Sequence, residues 1–242
     1  MALKIVLPVG VTVVCVDIFD TLLLRDGCSE KARFYATARE VNKLSQSKKS
    51  SIEHIFLARL TAHRWLYNLY EKRLIAEPSL REIHKIQCEM LSDEKITISV
   101  LEEAEYNFEF SSLKLNSPLV KFLVTMEKSG KKVILLSDMY LSSEFIRKIL
   151  TQNNAELHCE IYMSNEIGVS KHRGNAFTWI IEKYSVAPDK IHHIGDNYAS
   201  DYLIPLANKV SATFMPRNKY FYYKERILGL LTDLTLRGIL NE

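Results

Sequence analysis

The sequence is poor in cysteine, and that scarcity narrows its chemistry first. Cys15, Cys28, Cys88 and Cys159 stand far apart, with no C-x-x-C pair and no Cys/His cluster. That spacing argues against a zinc site and rules out a disulfide-built mini-protein. Cys15 lies inside an apolar run and reads as a buried thiol, so a reducing cytoplasm is the expected setting. No apolar run reaches the roughly 18 residues that a membrane span needs. The apolar start, Ile5 to Val16, resembles a signal-peptide core, but it lacks an A-x-A cleavage site and runs directly into Asp17, so export is not expected. An excess of one charge is missing too: 32 basic against 29 acidic residues leave +3, too little to argue for nucleic acid. Internal repeats and low-complexity segments are absent. What remains, 47% apolar, 25% charged and 10% aromatic residues, is ordinary globular composition. The 242 residues accommodate one core domain plus an insert, or one large domain.

Three continuous apolar runs read as buried parallel strands. Val11 to Val16 (VTVVCV) ends in Asp17-Ile18-Phe19-Asp20-Thr21. Lys132 to Leu136 (KVILL) ends in Ser137-Asp138, and Ile191 to Ile194 (IHHI) ends in Gly195-Asp196-Asn197. Glu160 to Met163 is a fourth, short candidate. Helical spacing covers Glu30–Leu44, Ile52–Leu74 and Ile96–Leu113, and a Ser79/Glu82 capping box opens a helix to Met90. With no strand signal between them, residues 25–113 read as an all-helical insert. Ser117–Ser129, Ser142–Leu150 and Asn175–Tyr184 alternate with the strands, which predicts a parallel sheet. Lys219 to Leu240 reads as a separate C-terminal helix, apolar on one side and aromatic over Tyr220–Tyr223.

The strands stop at small or acidic residues, and ligands of open α/β sheets bind at such carboxyl ends. If the strands are neighbours, Asp17, Asp196 and Asp201 converge. Carboxylates close together repel unless a cation lies among them. Oxygen-only ligands favour a hard ion, Mg²⁺ first, and Mg²⁺ suits phosphoryl oxygens. A carboxylate can attack phosphorus to give an aspartyl-phosphate. Ser137 can hydrogen-bond a phosphate oxygen and Lys171 can neutralise it.

The segments D-I-F-D-T (17–21), L-L-S-D-M-Y (135–140), S-K-H-R-G-N-A-F (170–177) and G-D-N-Y-A-S-D (195–201) together resemble the haloacid dehalogenase superfamily. They occur in the family's order, with 34 residues from Ser137 to Lys171 and 25 more to Asp196. The resemblance implies an α/β fold: a Rossmann-like three-layer core with a central parallel sheet (residues 1–24 and 114–218), an all-helical cap (25–113) and a C-terminal helical segment (219–242). It implies Asp17 as nucleophile, Ser137 and Lys171 as phosphate-holding groups, and Asp196 as a metal ligand. It further implies Asp201 as support for the metal, through water or by orienting Lys171, and the Phe19 carbonyl as another ligand. The activity implied is a Mg²⁺-dependent phosphatase acting on a small phosphorylated metabolite. The style of the first two motifs looks like a subgroup found beside glycosyltransferases of bacterial surface-polysaccharide synthesis. That implies a sugar or polyol phosphate and a fused or docking glycosyltransferase-type partner.

One position departs from the family pattern D-x-D-x-T. Its second aspartate, the general acid and base, is Phe19 here, and the extra carboxylate comes one place later, at Asp20. In a strand-like segment Asp20 points the other way, whereas a distorted turn lets it reach in and act as the acid. Loss of general acid catalysis costs about 10²–10⁴ in rate for a poor leaving group. Two alternatives follow: a weakly active or non-catalytic phosphate-ligand or scaffold domain, and a 2-haloacid dehalogenase, whose family members also carry an aromatic residue there. Retention of Asp196 and Asp201 weighs against dehalogenation. Taken alone, Asp17 reads as a turn residue, Lys171 as a surface lysine, and Ser137-Asp138 as a helix cap. Of His192 and His193, alternating along a strand, one is expected in the core and one on the surface. Trp65, Tyr67 and Tyr70 read as core of the helical insert.

Overall fold

Each buried apolar run does become a strand. The computed structural model describes residues 5–240; residues 1–4 and 241–242, the outer ends of the segments read from sequence, lie outside the described residues. The chain runs β1 (Val13–Val16), β2 (Leu23–Leu24), α1 (Glu30–Ser45), α2 (Ile52–Glu71), α3 (Leu80–Leu91), α4 (Ile98–Ser112), β3 (Lys114–Leu115), α5 (Ser117–Lys128), β4 (Lys132–Ser137), α6 (Ser143–Gln152), β5 (Glu160–Met163), α7 (Ser164–Ile167), α8 (Asn175–Tyr184), β6 (Ile191–Gly195), α9 (Ile204–Ala207), β7 (Ser211–Phe214) and α10 (Lys219–Leu240).

Five strands pair in parallel in the order β5-β4-β1-β6-β7. β1 is the middle strand and all four of its residues are buried, which is why it carries no polar side chain. Its register sets the functional edge. Val16 lies beside Leu135 of β4 and Ile194 of β6, so Asp17, Ser137 and Asp196 leave the sheet at one end. Helix α8 covers one face with Ala176, Phe177 and Ile180 packed on Val13, Cys15, Ile134 and Ile191. Burying each such large side chain contributes about 1.5–3 kcal/mol.

The chain divides into two compact units. One is residues 1–25 and 114–217; the other is residues 26–113 together with the chain from Asn218 onward. In the second, Phe34, Val41, Ile55, Phe56, Leu91 and Leu101 form the core of the helices. Ser29, Ser51, Ser79 and Thr97 each cap a helix by accepting a backbone N–H, and the Ser79/Glu82 box is fully formed. The C-terminal helix belongs to this unit: Lys31 pairs with Asp233, and a Cβ on Gly229 would rest on Ser29. Tyr220, Tyr223, Ile227, Leu230 and Leu234 of α10 are exposed. Among the described residues no helix is long and apolar enough to cross a membrane.

Several expectations need correction. The two-residue ladder β2–β3 and the edge strand β7 are too short or too mixed to show periodicity. Helix α6 is capped by Ser142, which accepts the Phe145 N–H, rather than by Ser137 or Asp138. Trp65 is 50% exposed, because the apolar face of α2 turns Ala58, Ala62 and Leu66 inward instead. His192 and His193 are both buried, because an inner strand is covered on both faces. β7 supplies the hydroxyls that make this tolerable for His192: Ser211 at Nδ1 and Thr213 at Nε2, each 2.8 Å away.

Burial, helped by repulsion from His193, pushes the His192 imidazole down to about 4. A free histidine titrates near 6.5, so the unfolded chain takes up the proton first as pH falls. The contribution of neutral, folded His192 is complete above pH 6.5 and disappears towards pH 4. Unfolding in urea is expected to show a loss on the order of 1–3 kcal/mol across that window from this group. A His192→Gln variant is expected to give a shallower pH slope. An unchanged slope would contradict the assignment.

Candidate active site

The site is built on strand ends, and its central contact is ionic. The Lys171 ammonium donates to Asp17 Oδ1 at 2.5 Å and to Asp201 Oδ1 at 2.7 Å. All three side chains are buried. Asp17 is fixed by β1, and its own N–H continues the ladder to the Ile194 carbonyl. Lys171 comes from an irregular loop, and that loop is tied down by Asp138. The Asp138 carboxylate accepts the Lys171 N–H at 2.9 Å and the His172 N–H at 2.8 Å. Asn175 accepts from the Ser170 N–H, and Gly174, at φ +79°, turns the chain into α8.

Asp201 lies in a turn of π-helical pitch, Tyr198–Leu203, that follows β6. Its carboxylate has three partners: Lys171, the His193 Nε2 at 3.0 Å and the Asn197 N–H at 3.0 Å. Asn197 in turn caps this turn by accepting from Ala199 and Ser200. Carboxylate oxygens of Asp17, Asp196 and Asp201 lie within 4.8 Å of one another, and Asp196 accepts a 3.4 Å hydrogen bond from the Thr21 hydroxyl. Ser137 is buried at the end of β4, level with this group.

The segment after Asp17 is a distorted turn rather than a strand. Leu22 and Leu23 both donate to the Ile18 carbonyl, and Asp20 sits at φ +60°. The Phe19 ring is buried beneath the Arg25 guanidinium, 4.1 Å above it. The Asp20 carboxylate meets Arg217 at 2.6 Å.

No family model matches the sequence, and no curated protein does. Solved structures match over most of the chain. A HAD family enzyme from Bacteroides thetaiotaomicron superposes with a TM-score of 0.57 at 16% identity, over 87% of this chain and 97% of that one. The same enzyme in complex with magnesium and inorganic phosphate gives 0.54. The L-2-haloacid dehalogenase of Xanthobacter autotrophicus gives 0.56 at 12% identity, over 95% of this chain and 88% of that one. The chain has the haloacid dehalogenase fold.

In a haloacid dehalogenase fold of this sequence, the charges at the strand ends do not balance. Burial pushes Asp17 up to about 7, against the pull of Lys171. Burial, Asp20 and Asp201 push Asp196 up to about 6. Lys171 is held above the usual lysine range, because Asp17, Asp201 and Asp138 outweigh the cost of burying it. Burial opposes ionisation of Asp201 too, but Lys171 and His193 more than offset it and hold the carboxyl low. Of the two partners in the Lys171–Asp17 pair, the ammonium is the secure ion. It is surrounded by carboxylates, whereas Asp17 has one cation and two anionic neighbours. With all three carboxyls ionised, the single ammonium leaves a deficit of two positive charges, and all the donors are oxygens. That set fits a divalent hard cation.

Sequence reasoning missed Asp138, His193 and Asn197, which orient Lys171 and Asp201 without being part of the acidic group. Asp138 and Asn197 are chain neighbours of Ser137 and Asp196, but the groups that they and His193 hold follow only from the fold.

Gly195 leaves room for Asp201. A Cβ there would lie 2.4 Å from the Asp201 Cγ, and Asp201 is pinned by three partners. Gly195→Ala is therefore expected to displace that carboxylate, costing about 1–3 kcal/mol in overpacking. Urea unfolding reads the loss, and a stability equal to the parent's would disprove the contact.

Proposed function

We propose that the protein is a Mg²⁺-dependent phosphohydrolase that passes the phosphoryl group of a small phosphorylated metabolite through Asp17. One observation carries this reading: a buried carboxylate, Asp17, stands at the end of the central strand between an ammonium and two further carboxylates. An ordinary structural ion pair does not need the second and third carboxylates.

Asp17, the Phe19 carbonyl and Asp196 are the groups proposed to hold the metal, with Asp201 in support. When bound, Mg²⁺ supplies the missing positive charge and offsets charge on the phosphoryl oxygens. The remaining work falls to the chain's own residues. Asp17 attacks phosphorus in line, and Lys171 and Ser137 hold the phosphoryl oxygens while the bond to the leaving group breaks. Asp201 and Asp138 keep Lys171 extended towards Asp17. Water then attacks the aspartyl-phosphate and Asp17 is regenerated.

Dehalogenation is the second reading, favoured by Phe19 and by the fold neighbours that are dehalogenases. A halide leaves without a proton and needs no cation, so this reading gives Asp196 and the charge deficit no role.

Release of inorganic phosphate from acetyl phosphate and p-nitrophenyl phosphate, with Mg²⁺ and after EDTA treatment, separates the two. Turnover is expected to require Mg²⁺. Asp17→Asn, which keeps the side-chain shape but removes the nucleophile, is expected to reduce turnover by more than about 10³-fold. Halide release from 2-chloropropionate without phosphate turnover would establish the second reading instead.

A further inference from the structure

A second charged group lies one turn from the acidic one, and its members are committed to one another. Asp20 Oδ1 accepts from the Arg217 guanidinium at 2.6 Å and from the Arg25 N–H at 3.2 Å. Asp20 Oδ2 lies 3.7 Å from the Arg25 guanidinium. Arg217 also donates to the Arg25 carbonyl at 3.0 Å, and the Arg25 guanidinium carbon lies over the Phe19 ring, 4.1 Å from its centre. The Asp20 N–H donates to the Leu23 carbonyl, so backbone and side chain both close the same turn. Arg25 and Arg217 are the last residues of the strand-bearing unit at two of the places where the chain leaves it. At the third, Lys114 pairs with Leu24, and Asn116 donates to the carbonyls of Thr21 and Leu22. The turn that carries Phe19 is thus the common anchor of all three crossings.

The other carboxyls of this region are also engaged. Asp138 holds the Lys171 loop, and Asp196 and Asp201 complete the acidic group. Asp20 is the one left that could protonate a departing oxygen, and its oxygens face two arginines.

We propose that Asp20 is a positioning residue, clamped by Arg25 and Arg217, and that the site takes acyl phosphates, whose leaving group departs without a proton. The substrate half of this rests on the phosphohydrolase reading above. Asp17 forms the new bond to phosphorus, the phosphorus–acyl oxygen bond breaks, and its electron pair leaves on a carboxylate. Water then gives its oxygen and both protons to the phosphoryl group, and dihydrogen phosphate is released as the Asp17–phosphorus bond breaks. No step needs a donor to the leaving group. A polyol monoester, which must depart as an alkoxide or be protonated, is disfavoured.

Acetyl phosphate and phenyl phosphate test this, since their leaving groups differ by about five pKa units. The parent chain with Mg²⁺ is expected to favour acetyl phosphate by at least about 100-fold in kcat/KM. Asp20→Asn and Arg217→Gln are expected to lower kcat/KM on both substrates by one common factor and to raise the Mg²⁺ concentration giving half-activity, with Arg217→Lys restoring part of each loss. A selective loss on phenyl phosphate in Asp20→Asn, or equal parent turnover of both substrates, overturns the proposal. The clamp is read without turnover from thermal unfolding: each single variant melts lower and the double variant no lower than the worse single. Additive shifts overturn the clamp, even if the chain hydrolyses no phosphate. Absence of phosphate release by the parent overturns the phosphohydrolase reading and the substrate assignment with it, and leaves the melting result to decide the clamp.

Discussion

The buried Lys171 ammonium, shared between Asp17 and Asp201, is the contact on which the arrangement of the strand ends depends. It draws a loop from after β5 and a turn from after β6 onto the tip of β1. Breaking a buried pair of this kind by removing one partner costs about 3–5 kcal/mol, because the remaining charge is left without compensation. The chain surrounds the ammonium with further support. Asp138 fixes the backbone on which Lys171 stands, and His193 and the Asn197 amide hold the carboxylate it meets. A lysine has four rotatable bonds to order, and each of these contacts reduces what the ion pair alone must offset.

That concentration of charge stands at the tip of a central strand that is wholly apolar. β1 contributes only Val13, Val14, Cys15 and Val16, all buried. Parallel pairing then brings Asp17, Ser137 and Asp196, at the ends of β1, β4 and β6, to the same edge. The division of labour is strict: apolar side chains set the register, and the register sets distances between acids that are 179 and 184 positions from Asp17 in sequence (196 − 17 and 201 − 17). A slip of one residue in β6 would exchange the faces of His192 and His193 and carry Asp196 off the edge.

This explains which features could be read from the chain. Runs such as VVCV and KVILL announce buried parallel strands, and the Ser79/Glu82 box and the helical spacings announce the insert, because those are local properties. The candidate polar positions Asp17, Ser137 and Asp196 follow from where the runs stop, whereas Lys171, in a loop, stands out only through the motif it resembles. What could not be read is non-local. β7 is an edge strand of four mixed residues, Ser211–Phe214, yet it provides the hydroxyls that let His192 be buried. The short β2–β3 ladder joins segments some ninety positions apart (114 − 24). The fate of Asp20 was open in the sequence because its direction depends on φ. It adopts the left-handed value, which an aspartate tolerates better than a branched residue, with its carboxylate against Arg217.

The two charged groups at the tip of β1 have opposite balances, and the contrast separates their roles. Around Asp17, three carboxylates face one ammonium and burial holds Asp17 and Asp196 well above ordinary carboxyls. That region is left wanting positive charge. Around Asp20, one carboxylate faces two guanidinium groups, and it is one residue beyond the ring on which Arg25 stacks. That region is saturated. A group meant to trade protons or take a metal is better kept short of partners, while a group meant to hold a turn is better kept surrounded by them. The chain therefore sets the same residue type, three positions apart, in two different surroundings: Asp17 shares one ammonium with Asp201 and lies beside Asp196, and Asp20 lies between two arginines, as the two proposed roles require.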